Sequence, residues 1–88
     1  MKIDSTEPQT LTLVVAKGRF SQTAFRRRDL MRLVEAAVKT LDLWTDEDDE
    51  ESESAGKKSK GLAAIDWAVS HLKGNGLNHL AHDQWQVT

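Results

Sequence analysis

Residues 63–77, AAIDWAVSHLKGNGL, decide how this chain is read. On a helix advancing about 100° per residue, Ile65, Val69 and Leu72 gather on one side, with Leu62 just ahead of them. Trp67 points almost the opposite way, near Ala63, Ala64 and His71. Ser59 is placed to cap the helix, which is expected over roughly residues 62–73. The Gly-Asn-Gly at 74–76 stops it, because these residues take the left-handed backbone that ends helices. Trp67 then has two readings. In one it faces outward, to stack on a nucleotide sugar or fill a partner's pocket. In the other it belongs to a second buried seam, against a sheet on that side. The buried seam is the expectation, because a large aromatic adds much to a small core.

Working outward, the tail LNHLAHDQWQVT places Leu77 and Leu80 before a polar AHDQ turn, with Trp85 and Val87 alternating after it. That pattern predicts a β-hairpin. Upstream, RRRDLMRLVEAAVKTLDLW predicts an amphipathic helix. Leu30, Val34, Ala37, Leu41 and Trp44 share one face, with Arg32, Glu35, Lys39 and Asp42 opposite. Near the start, STEPQT offers Ser5 or Thr6 as a cap and Pro8 in a first turn. A short helix with a stripe of Leu11, Val14 and Val15 should follow and end at Gly18. The β-branched TLTLVV leaves a strand as the alternative there. Arg19 and Phe20 have strand character.

At 88 residues the chain has the length of one domain, 1–88, with a modest core. It has no cysteine, so no disulfide or thiolate metal site supplements that core. The longest apolar run, LVVA at residues 13–16, is far too short to span a bilayer. Residues 1–10 carry one lysine and no apolar stretch of a secretion signal, so no membrane association and a cytoplasmic location are expected. The formal charge is −2, yet seven of the fourteen acids lie at positions 46–51 and 53. Without those seven, twelve bases face seven acids, a balance of +5. The remainder is mildly basic, with an acidic loop at about 45–56. That run should be a solvated spacer. A negative guard against nonspecific DNA, or a contact for a basic partner, are the alternatives. Ser52 and Ser54 lie within it.

Helix, short strand, helix, loop, helix and hairpin is the order of a winged helix: mainly α (α+β), three helices in a helix-turn-helix with a C-terminal β-hairpin wing. The final third, IDWAVSHLKGNGLNHLAHDQWQVT, resembles the N-terminal winged-helix domain of Mrr-type restriction proteins. Trp67, Ala68, Leu72, Gly76, Leu77, Trp85 and Thr88 carry the resemblance, which extends over about residues 29–88. An acidic loop before the third helix is similar in that family. The resemblance implies double-stranded DNA binding, by a recognition module without the family's nuclease domain.

The candidate nucleic-acid contacts follow from these elements. Arg26, Arg27 and Arg28 precede the second helix and form a possible phosphate clamp, since guanidinium forks fit phosphate oxygens. Three consecutive arginines cannot all face inward, so at least two are available to a partner. Lys57, Lys58 and Lys60 lie at the start of the third helix, where free N–H groups suit phosphates. Trp67, Ser70, His71 and Lys73 on or beside that helix, with Asn78 and His79 on the hairpin, complete the set, and His82 and Gln84 also decorate the hairpin. For the lysines and arginines, a solvated surface that balances the acids is the competing reading. His79 and His82 have metal-ligand spacing but no evident third or fourth ligand, so no metal or other cofactor is expected. No nucleophile–base order, phosphate loop or paired carboxylates point to an enzyme. A DNA-binding module is the leading expectation. The alternative is a protein-interaction or dimerisation winged helix that uses Trp67 and the acidic loop. With so small a basic excess, a monomer should bind DNA weakly, and a homodimer or larger protein partner would help.

Overall fold

The computed structural model describes residues 7–21, 23–51, 59–81 and 83–88. Helix α1 spans Glu7–Phe20, strand β1 Phe25–Arg26, helix α2 Arg27–Thr40 and helix α3 Lys60–Leu72. A 3-10 turn, Asp46–Asp49, lies between α2 and α3, and strands β2 (Leu77–Ala81) and β3 (Gln84–Val87) close the chain. The three strands form one antiparallel sheet in the order β1-β3-β2. The fold is therefore α+β, with three helices and a small sheet that includes the expected hairpin. The proposed Ser5 or Thr6 cap, Ser52, Ser54, Lys57, Lys58 and His82 lie outside the described residues.

Helix α1 corrects two expectations. It runs through Gly18 to Phe20, so Arg19 and Phe20 are its last residues and not a strand. Phe20 stacks on Phe25 with ring centroids 4.8 Å apart, which pins the final turn despite the interior glycine. The buried positions are Thr12 and Ala16, while Val14 is 61% exposed. Small side chains at i and i+4 bring this helix close to the core, and Leu11, Leu13 and Val15 flank the contact half-buried. Thr12 Oγ1 is buried without a hydrogen-bond partner among the described residues.

Helix α2 buries Leu30, Val34 and Val38. The core stripe thus follows i, i+4, i+8 and leaves Ala37 half-buried and Leu41 57% exposed. The helix also ends earlier than its periodicity suggests. Asp42 takes φ 58°, a left-handed value that aspartate tolerates better than most residues. The Asp42 amide donates to the Lys39 carbonyl (3.1 Å) and the Leu43 amide to the Val38 carbonyl (3.0 Å), the pairing of a Schellman cap. Trp44 therefore lies beyond the helix.

Ile65, Val69 and Leu72 of α3 meet Leu30, Val34 and Val38 in one core with Ala16, Phe25, Leu77 and Trp85. Trp85 sits on the middle strand, in register with Phe25 on one side and His79 on the other. The expected glycine stop is present, with Gly74 at φ 81° and Gly76 at φ 128°. A side chain at Gly76 would also press on Leu13. Glu51 and Ser59 form an isolated antiparallel bridge at the entry to α3. Replacing Thr12 by valine removes an unsatisfied buried hydroxyl at nearly constant shape. Urea unfolding should show the variant more stable by about 1 kcal/mol.

Candidate interaction surface

The outward side of α3 carries Lys60, Trp67, Ser70 and His71 exposed, with Ala63 and Ala64 half-buried beside them. Trp67 is 66% exposed, and its ring meets His71 edge-on at 4.5 Å. The expected second buried seam is therefore absent. Among the described elements, β3 packs against α1, so the sheet leaves this side of α3 uncovered. The core side of the same helix is continuous, with Gly61, Ile65, Ala68, Val69 and Leu72 all buried.

The arginine cluster divides. Arg27 turns inward, where Nε donates to Asp66 Oδ1 (2.8 Å) and Nη2 to the Asp66 carbonyl and Ser70 Oγ (2.7 Å each). Its guanidinium also lies 5.4 Å from the centre of the Trp85 ring, within cation–π range. Arg27 therefore joins α2, α3 and the sheet and is not an open phosphate clamp. Ser70 serves as its acceptor. Arg26 and Arg28 remain exposed, as the two-of-three argument requires. Arg28 and Arg32 border a surface cleft of about 410 Å³ whose other walls include Met31, Leu62, Asp66 and Asp83.

The acidic run is ordered where it is described, and it reaches α3. Trp44 Nε1 donates to Asp49 Oδ1 (2.9 Å), and the Lys39 ammonium sits 4.9 Å from the Trp44 ring centre. The Trp44 indole fills the space that a side chain at position 61 would need, so Gly61 permits this contact. Asp48, only 4% exposed, accepts from the Thr45 amide (2.9 Å) and hydroxyl (3.1 Å), in the T-x-x-D spacing of a capping box. Burial works to raise the Asp48 pKa, but the Thr45 bonds are among the interactions that outweigh it and leave it below 3.8.

Lys60 pairs with Glu50 Oε2 at 3.0 Å and Glu47 Oε1 at 3.7 Å. The hydrogen bond to Glu50, then the charges of Glu50 and Glu47, hold its ammonium above the ordinary lysine value. The α3 N-terminus is likewise engaged. Ser59 Oγ accepts from the Leu62 amide (3.2 Å), and the Glu50 carbonyl accepts from the Lys60 amide (2.8 Å). The expected open phosphate site at this helix start is thus occupied by the protein's own groups, and residues 46–51, exposed apart from Asp48, are tied to α3 as well as solvated. The T-x-x-D spacing was the signal that could have found this turn.

On the hairpin, Asn78, His79 and Gln84 are exposed, as is Lys73 after α3. His79 stacks on Trp85 at 4.7 Å. Among the described residues no three histidine or acidic side chains group as metal ligands, and no helix is long and apolar enough to cross a membrane. The structure brings Trp67, Ser70, His71 and Arg27 together. Lys60 is held in the acidic turn. Searches of protein-family models, curated proteins and solved structures found no match to this chain.

Arg27→Lys keeps the charge but loses the fork, and should destabilise by about 1–2 kcal/mol in urea unfolding. Arg26→Ala and Arg28→Ala should change stability by less than about 0.5 kcal/mol. The depressed Asp48 pKa stabilises the fold above its ordinary value, and that contribution is lost as pH falls through the folded value. Asp48→Asn should flatten this acid-side loss in unfolding midpoints measured between about pH 6 and pH 2.

Proposed function

We propose that this chain is a non-catalytic winged-helix module whose outward α3 face, centred on Trp67, binds another protein chain. Three helices with an antiparallel sheet ordered β1-β3-β2 support the winged-helix reading. The carrying observation for function is Trp67, two-thirds exposed in the middle of a rigid helix with alanines beside it. Tryptophan anchors dominate protein interfaces, because one large ring contributes much contact area at low entropic cost. The face is poor in free cation: Lys60 is neutralised by Glu47 and Glu50, and Arg27 is spent on Asp66. A helix entering the major groove beside the carboxylates of residues 46–51 would meet phosphate repulsion.

Double-stranded DNA binding is the second reading, favoured by the exposed Arg26 just before α2 and Arg28 and Arg32 along its first half. There the arginines would hold phosphates and the hairpin, with Asn78, His79 and Gln84, would touch the neighbouring backbone. One titration separates the two readings. Tryptophan fluorescence followed against duplex DNA at low salt should show little binding. An affinity that falls steeply with salt, and weakens uniformly across sequences in the Arg26→Ala/Arg28→Ala variant, would favour DNA. Trp67→Ala should leave the melting curve unchanged while abolishing co-purification of the bound protein chain. Equal retention by both chains would remove this face from the function.

A further inference from the structure

We propose that the cleft between α2 and α3 binds a small organic carboxylate. Arg28 and Arg32 would hold its anionic group, and its apolar body would lie on Met31 and Leu62. This site is separate from the Trp67 face and does not depend on the function proposed for that face.

The α2 wall comes from one stripe of the helix. Arg28, Met31, Arg32 and Glu35 follow i, i+3, i+4 and i+7, so they stand in line on one side. The facing wall is Leu62 and Asp66, four residues apart on α3. Asp83 borders the cleft from the hairpin, next to Gln84, which pairs with Arg26 just before α2. Trp67 follows Asp66 and lies about 100° further round α3, outside the cleft. Met31 and Leu62 are half-buried and give the cleft an apolar floor. Its volume of about 410 Å³ suits a small molecule, since such sites run from about 300 to 1,000 Å³.

The charges around this floor do not cancel. Arg27 and Asp66 neutralise each other at 2.7 Å, and Glu35 pairs with Lys39 at 3.3 Å. Among the described residues, Arg28, Arg32 and Asp83 have no ion pair. Two unpaired cations against the one carboxylate of Asp83 leave +1, which a monoanion brings to zero. Like charges four residues apart on a helix also repel each other, and an anion between them relieves that repulsion. Arg28 and Arg32 are about 6 Å apart along the axis, so two guanidinium forks can converge on one carboxylate. A phosphate dianion would overshoot the charge. The flexible Met31 thioether and the methylene stems of the arginines then offer apolar contact to the rest of the ligand.

Titration of the full chain with 2-naphthoate at pH 7, followed by the methionine methyl resonances, tests this. The chain has two methionines, so Met31 is read against Met1. A saturable Met31 shift with a dissociation constant below about 1 mM is expected. Acetate supplies the charge without the body, and 2-naphthol the body without the charge. Each should bind at least about tenfold more weakly. Arg28→Gln and Arg32→Gln, both at exposed positions and checked for folding by circular dichroism, should each weaken 2-naphthoate about tenfold or more. Asp83→Asn should tighten it about twofold. Trp67→Ala should leave the affinity unchanged. An absent or non-saturating Met31 shift overturns the inference, as does an affinity that survives both glutamine variants. Inorganic phosphate or acetate binding as tightly as 2-naphthoate makes the arginines a charge clamp alone and overturns the carboxylate site. Affinity lost in Trp67→Ala assigns the ligand to the exposed tryptophan and overturns it too.

Discussion

The Arg27 guanidinium is the joint on which the layout depends. One planar fork reaches the Asp66 side chain, the Asp66 carbonyl and the Ser70 hydroxyl, and lies over Trp85. It therefore fixes α3 relative to both α2 and the sheet. A lysine there would supply charge but not the geometry, since only the guanidinium offers several donors in one plane. The fork ties the Asp66 and Ser70 edge of α3 to α2, and Trp67 and His71 lie exposed beside it.

The acidic run shows how a repulsive segment becomes part of a fold. Each carboxylate with a local donor is removed from the unfavourable sum: Asp48 by Thr45, Asp49 by the Trp44 indole, Glu47 and Glu50 by Lys60. Surface ion pairs of this kind contribute little stability one by one. Their larger effect is positional. They attach a dense negative charge to the N-terminal end of α3.

Much of the fold was legible in the sequence because it rests on strong local signals. The 3.6-residue period of α3, the Ser59 cap, the glycines after the helix and the alternation around Trp85 each name one structure. The misreadings arose where tertiary context decides. Leu11, Val14 and Val15 look like a core stripe, yet α1 buries Thr12 and Ala16, because packing against α3 selects small residues over hydrophobic ones. Periodicity carried α2 on to Trp44, and the left-handed Asp42 overruled it. The candidate site was only half visible. An outward Trp67 follows from a helical wheel, but whether anything covers it depends on where the sheet packs. The inward turn of Arg27 rather than Arg26 or Arg28 depends on Asp66, thirty-nine residues away.

The bridge between Glu51 and Ser59 makes the entry to α3 a joint between two stretches of chain. Beside it the Lys60 amide donates to the Glu50 carbonyl at 2.8 Å, so the first turn of the helix is tied to the acidic turn. That turn of α3 can open only when the acidic turn detaches, and the two come apart as one cooperative unit instead of fraying separately.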